Sequence, residues 1–217
     1  MKNLTFFFIA FLLINGRLTA QTNPEVIAPA FDDSYSKTIK LLEAGETDIN
    51  YRAFRESFIE SKQFLAASQQ YKIFDSLKKE MYKQMGKSDY PAIIKATKGM
   101  LSIDYTSMIA HKILQQTYKI MGDSLNWKKY HDIEFGLLRS IVKNGDGKTC
   151  ETAWPVIQIE EEYFILDMLD ATFKKQSIDN SGGLCDKMEV KEGRKKKTYY
   201  FEVSKVFEGY KKLEKTD

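Results

Sequence analysis

The sequence predicts an α+β fold: about six N-terminal helices paired as hairpins, then a small β-rich C-terminal part with one helix. The first observation is an internal repeat, since Tyr82-Lys83-Gln84-Met85-Gly86 returns 36 residues later as Tyr118-Lys119-Ile120-Met121-Gly122. A period of this length is typical of stacked helix–turn–helix units. The second is a change of pattern near Asn144, where helical spacing of apolar residues gives way to short β-branched or alternating runs.

Residues 1–20 have the pattern of a secretory signal peptide. Lys2 precedes an apolar run from Leu4 to Ile14, and small or polar residues follow up to Ala20. A run of eleven residues is too short for a spanning helix, which needs about 20. We therefore expect cleavage near Ala20, export to the periplasm or the medium, and no membrane span in the mature chain.

The charge balance argues against nucleic acid as a partner. Removing residues 1–20 takes away Lys2 and Arg17, which lowers the formal net charge from +3 to +1. Proteins that bind nucleic acid through its phosphates need a basic excess on one face. The overall composition offers no such excess.

Residues 21–67 are expected to form an extended lead-in and two capping helices. Asp32 and Asp33 offer N-cap oxygens to the first helix, and the second begins behind Asp48. The apolar faces predicted for these helices consist of Tyr35, Ile39, Leu42, Tyr51, Phe54, Phe58 and Ile59. Arg52 and Arg55 are expected on the opposite, polar side of the second helix.

Residues 68–143 are predicted to form two helical hairpins, at about 69–102 and 106–142. Gly86 and Gly122 follow the first helix of each hairpin, where a left-handed C-terminal cap favours glycine. Gly99 and Gly136 lie in mid-helix at a cost of about 1 kcal/mol relative to alanine. They are interpreted as points where the two helices of one hairpin touch.

The two hairpins resemble tetratricopeptide-type units. Tyr118, Gly122 and the run Leu101-Ser102-Ile103-Asp104 fit the pattern of that family, whereas most of its small residues and its closing proline are absent. Because two units are too few for an independent array, the flanking segments are expected to cap both ends.

Residues 144–217 are predicted to be a small α+β part. A turn at 144–149 ends the helical region, and three carboxylates beginning at Glu160 start a helix. The predicted strands are 154–159, 173–178, 184–191 and 197–204, the last two forming a hairpin about Glu192 and Gly193. The tail from Phe207 onward is charged.

A candidate site for chemistry lies at the junction of the helices and the sheet. It consists of Asp146, Lys148, Glu160, Glu161 and Glu162. Paired carboxylates serve acid–base catalysis or metal binding, but the positive end of the helix dipole already accounts for acidic residues in a first turn. No catalytic residue is therefore assigned.

Cys150 and Cys185 are the two cysteines of the chain. In an exported protein they are able to form a disulfide, or each is a separate buried thiol; the sequence leaves both readings open. His111 and His131 lack neighbouring ligands at metal-binding spacing. We expect neither a metal nor a cofactor.

The junction also carries a resemblance. The chain is similar here to a family of secreted Bacteroidota proteins classified as a domain of unknown function. The similar segments are Gly145-Asp146-Gly147-Lys148-Thr149, Ala153-Trp154-Pro155-Val156-Ile157 and Glu161-Glu162-Tyr163. The similarity covers most of the mature chain. It implies export and carries over no catalytic residue.

Three functional hypotheses follow. The first is an interaction protein of the cell envelope that presents a groove between helical hairpins to a peptide or protein partner. The second is a hydrolase-type enzyme or a glycan-binding protein that uses the junction carboxylates. The third is a structural accessory subunit without a small-molecule site.

Overall fold

The computed structural model describes residues 25–215, so the predicted signal peptide lies outside the described residues. Its helices are α1 (Ser34–Glu43), α2 (Tyr51–Glu60), α3 (Lys62–Gln69), α4 (Tyr71–Met85), α5 (Tyr90–Ile103), α6 (Met108–Met121), α7 (Ser124–Val142), α8 (Ile159–Met168) and α9 (Ser204–Leu213). Its strands are β1 (Trp154–Pro155), β2 (Ala171–Asp179), β3 (Cys185–Glu192) and β4 (Lys195–Glu202).

The predicted α+β fold is confirmed, with two corrections to the number of helices. Within residues 25–215, seven helices precede the sheet instead of about six, because Ser61 ends α2 and its hydroxyl accepts a hydrogen bond from the backbone N–H of Phe64, starting α3. The C-terminal part contains α9 as well as α8, since the charged tail coils into a helix that buries Val206 and Gly209.

The repeat corresponds to two helical hairpins, α4 with α5 and α6 with α7. Gly122 has φ 76° and ends α6 in the left-handed conformation. The expectation for Gly86 is wrong, because its φ is −61° and Ser88 takes the left-handed conformation instead, with φ 56°. The turn between α4 and α5 is longer than the turn between α6 and α7, so its left-handed residue lies further from the end of the preceding helix.

The two mid-helix glycines are points of close approach, but only one lies within its hairpin. A Cβ added to Gly99 of α5 would lie 3.1 Å from Cδ1 of Leu77 in α4. A Cβ added to Gly136 of α7 would overlap the ring of Tyr51, which belongs to α2. The longer helix α7 thus packs against the N-terminal helices as well as against α6.

The sheet has the strand order β1-β4-β3-β2. Strand β3 pairs antiparallel with both β2 and β4, and β1 pairs parallel with β4. Strand β1 is shorter than the predicted 154–159 because the chain leaves the sheet after Pro155 and α8 begins at Ile159. The inner face of the sheet is buried and consists of Met188, Val190, Tyr199 and Phe201.

One continuous apolar core joins the helices to the inner face of the sheet. At the helical end, Tyr35 stacks on Phe54 with ring centroids 5.3 Å apart. At the other end, Trp154 stacks on Tyr199 at 5.3 Å. No helix among residues 25–215 combines the length and the hydropathy needed to cross a membrane.

Candidate functional site

A groove of about 840 Å³ lies where α3 and α4 approach α8 and α9. Most of its lining is apolar, and α2, the end of α5 and the start of α6 also contribute to it. Its apolar and aromatic lining residues are Phe58, Phe64, Ala67, Tyr71, Phe74, Tyr82, Ile103, Met108, Ile109, Ile157, Ile159, Tyr163, Phe164, Val206, Tyr210 and Leu213.

Helix α4 presents a row of side chains to this groove. Tyr71, Phe74, Lys78 and Tyr82 all line it and follow one another at helical spacing. Tyr71 is 64% exposed and Tyr82 is 48% exposed. Large aromatic side chains along one exposed helix face are typical of surfaces that bind another molecule.

Asp104 is a buried carboxylate in the lining of the groove. Its Oδ1 accepts hydrogen bonds from the backbone N–H of Thr106 at 2.8 Å and from the Thr106 hydroxyl at 2.6 Å. Its Oδ2 accepts from Nε2 of Gln158 at 3.0 Å. Burial raises the pKa of Asp104 to about 6, so this residue titrates near neutral pH. From the sequence, Asp104 was identified only within the hairpin pattern and not as a site residue.

Two of the five predicted junction residues, Glu160 and Glu161, line the groove. Glu160 is exposed at the start of α8. Its negative charge contributes to the raised pKa of Asp104. The groove therefore contains two carboxylates, Asp104 and Glu160, and the charge of Glu160 acts on Asp104.

Glu161 is engaged by Arg55 of α2. Nε of Arg55 donates to Oε1 at 2.7 Å, and Nη2 donates to Oε2 at 2.5 Å. Arg55 also donates to the carbonyl of Pro155, and the backbone N–H of Ile157 donates to Glu161. The expectation that Arg55 lies on the polar face of α2 is wrong, because this ion pair holds its side chain at 2% exposure.

Glu162 lies on another side of α8, facing the sheet, and is fully buried. Burial, together with the negative charge of Asp186 in β3, raises its pKa to about 9. The pKa of Asp186 is also raised by burial, and Gln176 of β2 donates a hydrogen bond to it. Glu162 is thus uncharged at neutral pH and lies away from the groove.

Asp146 and Lys148 lie in the turn that follows α7 and do not line the groove. Nζ of Lys148 is 2.9 Å from Oδ2 of Asp146, and the hydroxyl of Thr152 donates to Oδ1 at 2.7 Å. The hydrogen bonds from Lys148 and Thr152 lower the pKa of Asp146 to about 2. The five junction residues are thus divided among three separate places.

Cys150 and Cys185 are joined by a disulfide. It ties the turn after α7 to the start of β3, and both cysteines are buried. Their separation of 35 residues in sequence makes the bridge a long-range constraint on the unfolded chain.

Neither histidine is placed as a metal ligand. Nε2 of His111 is 2.7 Å from the carbonyl oxygen of Tyr105, and burial lowers the pKa of His111 to about 4. His131 packs between Trp127 and Phe135, with ring centroids 5.4 and 4.5 Å away. In the described part of the chain, no group of three or more His, Cys, Asp or Glu residues is arranged to hold a metal ion.

Comparison with known proteins places the chain in a family. No curated protein and no solved structure matches it significantly. A family model, described as a domain of unknown function, matches residues 35–212. This match begins in α1 and ends in α9, so it includes every lining residue of the groove except Leu213. The chain belongs to the family Domain of unknown function (DUF4919).

Proposed function

We propose that this protein is an exported binding protein whose groove accepts the apolar face of an amphipathic segment from a peptide or protein partner. The observation that carries the proposal is the row Tyr71, Phe74, Lys78 and Tyr82, which leaves large aromatic surface of α4 open to the groove. Exposing this much aromatic area to water is unfavourable, and a bound partner would remove it from water.

The lining favours a peptide over a glycan. Phe58, Phe64, Ile103 and Val206 contribute apolar surface to the groove. Sugars need many hydrogen-bonding groups, whereas the apolar side of an amphipathic helix needs a groove with sites for residues at positions i, i+3 or i+4, and i+7. The tyrosine hydroxyls of Tyr71 and Tyr82 supply polar ends to an otherwise apolar wall.

The charges at the groove further define the partner. Asp104, Glu160 and Asp167 contribute carboxylates, and Lys78 contributes an amine. Asp167 is paired with Lys112 at 3.0 Å, and Glu160 is exposed. A partner with lysine or arginine next to its apolar anchors would complement this acidic excess.

Two further points belong to the proposal. The disulfide between Cys150 and Cys185 supports export, because disulfides persist in oxidising compartments. The resemblance of the hairpins to tetratricopeptide-type units supports peptide binding, since arrays of such hairpins provide extended concave surfaces.

Selection of peptides from a displayed random library on the purified protein tests the proposal. We expect enriched peptides with apolar residues at i, i+3 or i+4, and i+7, flanked by lysine or arginine. Their affinity, measured by fluorescence polarisation, should fall about tenfold or more in the double variant Tyr71→Asp and Tyr82→Asp, because anchor residues dominate binding.

A matched control uses two exposed apolar residues outside the groove. Ile120 is 65% exposed and Leu125 is 80% exposed, and the double variant Ile120→Asp and Leu125→Asp introduces the same charges. This control should bind the peptides like the unmodified protein. Absence of a common peptide pattern, or equal losses in both variants, would overturn the proposal.

Asp104 and Glu160 favour a second candidate function, a hydrolase-type enzyme. A carboxyl group with a pKa near 6 in a groove, next to a second carboxylate, suits general acid–base catalysis. Assays on peptidoglycan and on neutral polysaccharides would detect such an activity. It should disappear in Asp104→Asn and persist in Asp146→Asn, whose carboxylate lies outside the groove.

A further inference from the structure

The outer face of the sheet carries lysines that the groove does not involve. Along β3, Lys187, Glu189 and Lys191 alternate with the buried residues Asp186, Met188 and Val190, so they point to the opposite face. Strand pairing places Lys175 opposite Glu189 and Lys196 opposite Lys191. Four lysines therefore share one surface, which we call the lysine face: Lys175, Lys187, Lys191 and Lys196.

The lysine face has a net positive charge. Glu189 lies among the four lysines, and Asp179 and Glu202 lie at the other end of the same face, where both are paired with Cys185. Four lysines against three carboxylates leave a net charge of +1 on these paired positions. None of the four lysines forms a salt bridge within the part of the chain that the structure describes. Lys187 lies over the ring of Tyr200 at 5.9 Å. At the adjoining hairpin end, Arg194 and Lys195 are also exposed.

Protection of a sheet edge does not account for this cluster. Lysines on edge strands prevent pairing with other chains, and that role fits Lys175 on β2, which is the last strand of the sheet. Strand β3, however, is paired on both sides from Cys185 to Glu192, so Lys187 and Lys191 protect no edge.

Internal packing does not account for it either. Lys191 and Lys196 are direct cross-strand partners, and like charges in that relation destabilise a sheet. Among the described residues, neither Lys191 nor Lys196 forms an ion pair that would offset their repulsion. An external anion would do so.

We propose that the lysine face binds the anionic headgroups of a membrane surface. Neighbouring strands are about 4.8 Å apart, and residues on one face of a strand repeat at about 6.8 Å, so the ammonium groups form a two-dimensional array instead of a line. An array that extends in two directions is able to contact several headgroups of an anionic surface at once. The cluster also lacks the row of stacking aromatic residues that single-stranded nucleic-acid sites use.

Sedimentation of the purified protein with lipid vesicles tests this inference. We expect binding to vesicles of phosphatidylglycerol mixed with phosphatidylcholine, weaker binding to phosphatidylcholine alone, and loss of binding in about 0.5 M salt, where charges are screened. In the triple variant Lys187→Gln, Lys191→Gln and Lys196→Gln, the partition coefficient should fall about fivefold for each lysine, or about a hundredfold in total.

A matched triple variant separates the lysine face from net charge. Lys95, Lys119 and Lys143 are exposed on the helical part, and their change to glutamine removes the same three charges. This control should retain most of the vesicle binding. Equal losses in both triple variants, or binding to heparin or DNA without binding to vesicles, would overturn the proposal.

The membrane inference is independent of the proposed peptide groove. The variant Tyr71→Asp and Tyr82→Asp should still bind anionic vesicles, because neither tyrosine belongs to the sheet. Failure of peptide binding would therefore leave the membrane inference intact. Failure of vesicle binding would likewise leave the proposed peptide groove intact.

Discussion

The guanidinium of Arg55 and the carboxylate of Glu161 form a buried, doubly hydrogen-bonded ion pair that joins α2 to α8. The two residues are 106 positions apart in sequence. The same arginine donates to the carbonyl of Pro155 in β1. One side chain thus connects the N-terminal helices, the sheet and the helix that lines the groove.

Removing one partner of this pair should strongly destabilise the protein. Glu161→Gln leaves the Arg55 charge buried without its counter-ion, which typically costs about 3–5 kcal/mol. Urea unfolding followed by circular dichroism measures the change in the free energy of unfolding. The control is Arg52→Gln on the same helix, whose exposed pair with Glu56 should contribute less than about 1 kcal/mol. Similar losses in the two variants would contradict this role for Glu161.

The pair Glu162 and Asp186 should make stability fall with rising pH. Burial raises the pKa of Glu162 from its ordinary value of 4.5 to about 9 in the folded protein. The folded state therefore binds a proton that the unfolded state releases, so this contribution is complete below about pH 4.5 and is lost as the pH rises towards about 9.

The variant Glu162→Gln tests this dependence, because the amide is neutral at every pH. We expect the variant to be more stable than the unmodified protein at pH 9 by at least about 1 kcal/mol, with a smaller difference at pH 5. The control Glu46→Gln removes the same charge at an exposed position after α1 and should leave the pH dependence unchanged. Parallel stability curves for Glu162→Gln and the unmodified protein between pH 5 and pH 9 would exclude the raised pKa.

Gly136→Ala should destabilise the fold although alanine favours helices. The added methyl group overlaps the ring of Tyr51, whose hydroxyl is held by the carbonyl of Thr47 at 2.9 Å. Overpacking of this kind costs about 1–3 kcal/mol, more than the gain of about 1 kcal/mol in helix propensity. Thermal unfolding measures the difference.

Gly99→Ala provides the matched comparison for Gly136→Ala. Its methyl group would meet the end of the flexible Leu77 side chain at 3.1 Å, which is able to move aside. We expect Gly99→Ala to change the free energy of unfolding by less than Gly136→Ala does. A larger loss of stability in Gly99→Ala than in Gly136→Ala would show that the Tyr51 side chain moves aside more easily than the Leu77 side chain.

Loss of the disulfide should lower stability without changing the groove. The double variant Cys150→Ala and Cys185→Ala removes a constraint across 35 residues, worth roughly 3 to 4 kcal/mol. Denaturant unfolding measures this loss, and the peptides selected on the unmodified protein should bind the variant with similar affinity. Alkylation by iodoacetamide of the protein unfolded without reduction, read by mass spectrometry, should label neither cysteine, whereas two free thiols would both be labelled.

Several features were predictable because they depend on residues close together in sequence. The repeat at Tyr82 and Tyr118 indicated two hairpins, and both are present. The alternation from Thr198 to Val203 and the turn at Gly193 indicated the hairpin of β3 and β4. The two additional helices were harder to predict: α3 has 8 residues and α9 has 10, and helices this short depend on packing against the rest of the protein.

The candidate site was predictable only in part. Glu160 and Glu161 were identified as acidic residues at the start of a helix, and both line the groove. Asp104 was missed because it lies just after α5 and has no charged neighbour in sequence. Its significance arises from burial beside Gln158, which is 54 positions away.

Local sequence alone determined the class of fold, the two hairpins and the change from helix to sheet, because helix and strand periodicities are short-range properties of a chain. Only the tertiary structure decided that Arg55 meets Glu161, that Glu162 faces Asp186, and that aromatic residues of α4 line one groove with residues of α8 and α9. The reason is physical, since pairing, burial and the resulting pKa values depend on which distant segments pack together, and that is a property of the whole folded chain.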